Sequence, residues 1–440
     1  MSILIQNGQV IDPASGLNTR ADIAIDNGTI VSIGKPAAGF KPAQTIDANG
    51  CIVVPGLVDA CARLGEPGHE HEGMLDTELA AAVAGGVTSV VCPPDTQPVL
   101  DEPGLVEMLQ FRAARLQLSR VFPLGALTRG LAGEALTPMA ELTHAGCIGF
   151  SQSEHNMVHN QALQRAMQYG ATFGYCLWLR AQDAALGKGV AASGPLATRM
   201  GLSGVPVAAE TIALHTIIDL MRSTGARVHV CRLSSAAGVA LIRQAKAEGL
   251  AISADVSIHN LHFTDTDMGY FDTRARLTPP LRQQRDREAL RAGLADGTID
   301  VLVSDHTPVE GDAKALPFAQ AQAGATALEL LLSATLKWAS QSQVELLRAL
   351  QVVTSAPAQL LGARGQGLGQ LTEGGPADVC VYDPGASWAV KPEALRSQSK
   401  HTPFAFDMSG SEMVGQVKAT VVAGKVAFQS GQSSVSAQIF

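Results

Sequence analysis

Short apolar runs alternate with amphipathic stretches along most of this 440-residue chain. A run of this kind is too short to be a helix of its own. It is read as a strand buried on both faces, and strands that alternate with helices build a parallel sheet. Candidate strands end at Asp59, Cys92, Gly125, Ser151, Trp178, Cys231, Asp255 and Ser304. Eight such strands are the number that closes a (β/α)8 barrel. Helices are expected over Leu75–Ala84, Thr211–Ser223, Ala236–Glu248, Asp286–Ala295 and Ala325–Ser340, with glycines placed to stop the first three.

A plain barrel needs about 250 residues, so a second unit is expected. The first fifty residues alternate with period two. Asp26-Asn27-Gly28 stands between two such runs, a strong hairpin signal. The C-terminus repeats the style in Asp378–Tyr382, Val417–Val422 and Lys425–Phe428. Neither end can bury a sheet alone. The expectation is one small β-sandwich from residues 1–50 and 370–440, with the barrel over 51–369, the glycine-rich stretch 362–375 leading back to the sandwich.

Only 16% of residues are charged, the net charge is -8, and no basic patch carries interleaved aromatics, which excludes nucleic acid as an expected partner. No apolar stretch reaches the ~20 residues that span a bilayer, and the N-terminus has no signal-peptide pattern. The seven cysteines form no Cys-x-x-Cys pair, and several sit inside apolar runs. Reduced thiols in a cytoplasmic protein are expected.

Several segments taken jointly are specific: Val54–Asp59, Glu66-Pro67-Gly68, Ala82–Thr88, Pro93–Pro98, Gly204–Glu210, Thr278–Arg282 and Asp300–Pro308. In these the chain resembles the dihydroorotases of the amidohydrolase superfamily over nearly its whole length. The resemblance implies a zinc-dependent cyclic amidohydrolase whose metal ligands sit at the C-terminal ends of the barrel strands. Carried over position by position, it places Cys61 and Arg63 where the family has paired histidines after strand one. The substrate-carboxylate arginine becomes Gly65. Gln152 and Ser153 fall near the bridging carboxylate after strand four. Arg180 and Arg232 fall at the histidines after strands five and six, Asp95 and Thr278 at two asparagines, and the aspartate after strand eight is kept as Asp305.

Guanidinium stays protonated and only donates, so an arginine at a zinc position repels the metal. The resemblance therefore implies a vestigial site of Asp59, Cys61, Arg63, Arg180, Arg232 and Asp305 with no cofactor. The three arginines are expected to carry the positive charge that zinc would supply, at least one pairing with Asp59 or Asp305. Cys61 and Cys231 are expected as packed thiols, His69-Glu70-His71-Glu72 as a solvated loop, and His155 and His159 on a surface helix. A local Ser304/Asp305/His306 triad is implausible, since adjacent strand residues face opposite sides. The resemblance extends to inactive bacterial dihydroorotase-like chains that assemble with aspartate carbamoyltransferase. It implies a homodimer within that hetero-oligomer. The competing expectations are an active hydrolase using Cys61, Asp305 and a loop histidine, and an anion-binding regulatory subunit.

Overall fold

The structure is a computed structural model that describes residues 2–157, 159–405 and 411–431. Both ends of the chain enter one eight-stranded sheet. Its N-terminal strands are Ser2–Asp12, Leu17–Asp26, Thr29–Ile33, Gln44–Asp47 and Ile52–Pro55. Its C-terminal strands are Val379–Ala389, Glu412–Val422 and Lys425–Gln429. Ile52–Pro55 is the seam, parallel to the first strand and antiparallel to Val379–Ala389. Most of the alternating isoleucines and valines that suggested strands point to one side. Ile3, Ile5, Ile23, Ile25, Val53, Val379 and Val421 share one fully enclosed apolar cluster. The Asp26-Asn27-Gly28 hairpin forms as expected, with Asn27 and Gly28 both at positive φ.

The barrel strands are, in order, Leu57–Asp59, Val87–Cys92, Arg120–Pro123 continued by Gly125–Ala126, Phe150–Ser151, Cys176–Arg180, Arg227–Cys231, Ile252–Ser257 and Val301–Val303. All pair in parallel. Strands one and eight do not pair directly. At one end Val352 and Val353 lie between them, accepting from Leu302 N and Val58 N. At the other end Asp59 accepts from Ser304 N at 3.1 Å, and Ala62 bridges to His306. A buried carboxylate thus completes the ring of strands.

The helix Leu75–Ala84 has the expected bounds, and three others differ by a few residues. The stretch read as a helix over Ala325–Ser340 instead begins with a 3-10 turn, Leu328–Leu330, before the helix Leu331–Ser342. The apolar run 52–59, which the expected bounds put wholly in the barrel unit, is also corrected. It is cut at Gly56, where Ile52–Pro55 serves the terminal sheet and Leu57–Asp59 the barrel. An unbroken apolar run carries no period that marks such a change of sheet. Gly56 is required there because a Cβ would lie 2.2 Å from Thr88 Oγ1. No helix among the described residues is long and apolar enough to cross a membrane, and all seven cysteines are free.

Gly56→Ala is therefore expected to lower unfolding stability by about 1–3 kcal/mol through overpacking. Gly104, in the helix Pro103–Leu116, has open space where a Cβ would go. Gly104→Ala is expected to raise stability by about 0.5–1 kcal/mol. Chemical denaturation of the two variants beside the wild type reads both signs.

Candidate functional site

Three strand ends at the barrel mouth carry non-glycine residues in the left-handed region. Ser153 follows strand four (φ 50°), Arg232 strand six (φ 55°) and Asp305 strand eight (φ 55°). Such conformations cost free energy and gather where side chains must be aimed against backbone preference. Here they turn the chain so that charged side chains converge. Arg232 N is held by Asp255 Oδ1 at 2.7 Å, and Ser153 N by Ser151 Oγ at 3.0 Å.

The charges meet on Glu154, a residue that the sequence reading passed over in favour of Gln152 and Ser153. Arg180 Nη1 lies 3.2 Å from its Oε2, and Arg63 Nη2 lies 3.4 Å from its Oε1. Arg232 Nη2 also bonds Oε1. Arg63 is held in addition by Asp95 at 2.8 Å and donates to Thr307 Oγ1 at 3.0 Å. Arg232 Nη1 reaches Asp305 Oδ1 at 3.3 Å. Arg180 and Arg232 are 7% and 4% exposed. Burial alone would raise the Glu154 carboxyl, but Arg232, Arg180 and Arg63 pull it down to about 2. Asp305 is raised by burial in spite of Arg232 and Arg63.

Asp59 has no arginine partner. It accepts from Ser304 Oγ, Ser304 N and Cys61 N, and burial pushes it up to about 6. Cys61 is buried and Cys231 nearly so, and desolvation lifts both thiols well above their ordinary range. They are poor thiolates. Gln152 points away from the cluster, bonding Thr128 Oγ1 at 2.9 Å and Leu131 O at 2.8 Å. Gly65 sits at φ 75°, and a Cβ there would lie 2.0 Å from Gly73 O. No side chain fits at that position. His155 is exposed in a loop and His159 caps the helix Asn160–Phe173. The expectation of one helix carrying both is corrected, because the helix starts only after His159. Ser304 and His306, two residues apart, also serve different ends. His306 binds Glu78 at 2.8 Å while Ser304 serves Asp59.

The mouth encloses a cavity of about 490 Å³ lined by Arg63, Asp95, Glu154, Arg232, Thr278 and Asp305 among others. A larger cavity of about 680 Å³ begins at the opposite end of strand three, around Ser119–Phe122, away from these charges.

A zinc centre at the mouth does not fit these residues. The three guanidinium groups have no lone pair to give, and the Asp305 carboxylate is turned to Arg232. Among the described residues there are two other groups of metal-type side chains. His69, His71 and Glu72 lie together in the loop expected to be solvated, with the His69 and His71 side chains 37% and 55% exposed. His229, Cys231 and Asp255 lie together at the end of strand six. The sequence reading did not join His229 to Asp255, twenty-six residues on. Both His229 nitrogens are engaged, Nδ1 with Ser253 Oγ at 2.8 Å and Nε2 with Asp255 Oδ2 at 2.9 Å. A metal there would have to displace one of these bonds.

Comparison with known proteins places the chain. A family model described as dihydro-orotase-like matches residues 50–237. The chain is 39% identical to a dihydroorotase-like protein of Pseudomonas aeruginosa, covering 96% of this chain and 99% of that one. This chain belongs to the dihydroorotase-like family. It is also 36% identical to a dihydroorotase of Syntrophotalea carbinolica, over 98% of this chain and 99% of that one. Among solved structures, the L-hydantoinase (dihydropyrimidinase) from Arthrobacter aurescens matches with a TM-score of 0.86 at 24% identity, covering 98% and 96% of the two chains. The dihydropyrimidinase from Brevibacillus agri matches with a TM-score of 0.83 at 20% identity, with the same coverage. These likenesses bear out the barrel with a terminal β-sandwich.

The Glu154 hub gives a pH prediction for this dihydroorotase-like chain. A carboxylate whose folded pKa is depressed stabilises above its unfolded value and loses that stabilisation as pH falls through the folded one. Glu154→Gln should cost about 2 kcal/mol at neutral pH, discounted for its partial exposure. The gap between wild type and variant should close as pH falls from 4.5, the ordinary value of a glutamate carboxyl, toward about 2. Urea denaturation of both proteins across that range measures the gap. A gap that does not change with pH would count against the hub.

Proposed function

We propose that this chain is a dihydroorotase homologue without turnover of its own, and that it serves as a non-catalytic assembly subunit of aspartate carbamoyltransferase. The observation that carries the first half is the seat of Glu154. Metal-assisted hydrolysis needs an electrophilic ion and a free base near the scissile carbonyl. At this mouth the positive charge is fixed on guanidinium groups that cannot bind and activate water as a metal does. The one aspartate placed to act as base, Asp305, is held by Arg232. The second half follows from the resemblance to dihydroorotase-like chains that act in this way. The barrel and terminal sheet are kept in full, which supports a role for the fold's surface.

A second reading rests on His229, Cys231 and Asp255. If a soft divalent ion displaces Ser253 from His229, a relocated metal centre at the end of strand six would support an altered cyclic amidohydrolase.

Two measurements decide between these readings. Metal analysis of the purified chain, with assays of dihydroorotate hydrolysis and carbamoyl-aspartate cyclisation, should give neither stoichiometric metal nor turnover. Stoichiometric zinc with turnover in either direction would establish the second reading instead. Co-expression with aspartate carbamoyltransferase should yield one complex by mass. The carbamoyltransferase should lose activity or assembly when this chain is withheld. Two proteins that elute separately with unchanged activity would remove the assembly role.

A further inference from the structure

The larger cavity, at the opposite end of the barrel from the mouth, holds about 680 Å³ and is ringed by cations. Arg120 comes from the start of strand three, Arg364 from the glycine-rich stretch, and Lys425 from the last strand of the terminal sheet. Among the described residues no carboxylate lines this space. Asp378 pairs with Arg120 Nη1 from behind the wall and is itself only 3% exposed. Three cations against that one carboxylate leave two positive charges unmatched. This is a local excess in a chain whose net charge is -8.

The three cations are held in position. Asp378 accepts from Arg120 with one oxygen and from Ala423 N at 2.7 Å with the other, which fixes strand three against the turn before Lys425. Lys425 Nζ donates to Gln117 Oε1 at 3.0 Å, and Arg364 Nη2 donates to Thr143 O at 3.1 Å. Each bond joins distant parts of the chain across the edge of the cavity. The neutral acceptors take one donor each, while a lysine has three and an arginine five. Arg364 and Lys425 are exposed and the Arg120 side chain is 30% exposed, so donors remain for a ligand. Between the cations the wall is apolar, formed by Ala114, Leu118, Val121, Phe122 and Val422. Ala114 is exposed and Leu118 half-buried.

We propose that this cavity binds a small phosphate monoester with an apolar body. The phosphoryl group sits among Arg120, Arg364 and Lys425, and the body lies over Leu118, Val121 and Phe122. A phosphate monoester carries about -1.5 to -2 at neutral pH, which matches the two unmatched charges. A carboxylate would leave one of them over. The phosphoryl oxygens accept from guanidinium forks and from an ammonium point charge, the two donor types that are present. The apolar strip favours an ester over the bare ion, because it removes the body of the ligand from water. The volume lies within the ~300–1,000 Å³ of small-molecule sites. The site is remote from the barrel mouth, so binding needs neither a metal nor a partner subunit.

The test is calorimetric titration and thermal shift of the full chain with 1-naphthyl phosphate. The singly charged 1-naphthyl sulfate, neutral 1-naphthol and inorganic phosphate serve as comparisons. Naphthyl phosphate should bind saturably at one site, raise the melting temperature and weaken with added salt. Each comparison compound should bind at least roughly fivefold more weakly, for lack of charge or of apolar body. Arg364→Gln and Lys425→Gln should each weaken naphthyl phosphate about threefold to fivefold, and the double variant roughly tenfold. Arg243→Gln makes the same charge change on the remote helix Ala236–Ala247 and should leave binding unaltered. If a cavity variant does not fold, the series of four compounds on the wild type carries the test alone. No saturable binding of naphthyl phosphate at millimolar concentration would overturn the proposal. So would equal binding of the sulfate, the naphthol or inorganic phosphate, undiminished binding by a folded double variant, or an equal loss in Arg243→Gln. Binding to vesicles of phosphatidic acid with none to naphthyl phosphate would assign the cations to a membrane surface and overturn it as well. Each result is read without turnover or a partner, so it is distinct from the tests of assembly and catalysis.

Discussion

Three guanidinium groups around one carboxylate set the conditions for everything else at the barrel mouth. A single arginine at the depth of Arg180 or Arg232 would pay several kcal/mol in lost hydration. Two charges about 4 Å apart near a protein surface attract by roughly 4 kcal/mol at an effective dielectric of 20. One contact therefore only about offsets one desolvation, and the cluster holds because its charges are shared. Arg232 serves both Glu154 and Asp305, and Arg63 serves both Asp95 and Glu154. The left-handed turns at Ser153, Arg232 and Asp305 are the backbone cost of that sharing.

Below the mouth, a second tier of buried polar bonds fixes the strands that carry these residues. Asp59 joins strands one and eight through Ser304. Asp255 joins strands six and seven, holding His229 with one oxygen and the Arg232 backbone with the other. Glu78 takes His306 from the strand-eight end and Gln398 N from the C-terminal segment. Burial pushes that carboxyl up, and the His306 bond and its other donors hold it below its ordinary value. The mouth, the barrel wall and the C-terminal segment are thus linked by groups with no water to fall back on.

Much of this was legible in the sequence, for identifiable reasons. The Asp26-Asn27-Gly28 hairpin could be read because only a few residues tolerate two successive positive φ angles. Leu75–Ala84 was bounded by its own apolar face and by Gly85. Arg63, Arg180 and Arg232 could be placed together because the family resemblance sets each at a ligand position at the end of a barrel strand. Glu154 was missed because the residue counting stopped at Gln152 and Ser153, and the left-handed Ser153 moves the next side chain into the cavity. A signal was present, since Glu154 is the only carboxylate in its segment and three buried cations need one. The cut at Gly56 was hidden because one apolar run feeds two sheets. Asp255 beside His229 is a tertiary contact between neighbouring strands, which no local spacing announces.

The shared charges of the mouth also bear on how such a site can change over generations. Replacing any one of the three arginines by a neutral imidazole leaves Glu154 short of counter-charge before any metal has a complete set of ligands. The first step toward a different chemistry is thus a loss, and so is the second. Substitutions in this cavity have to move as a group, or be preceded by a change at Glu154, so its present composition is locked in by electrostatics alone.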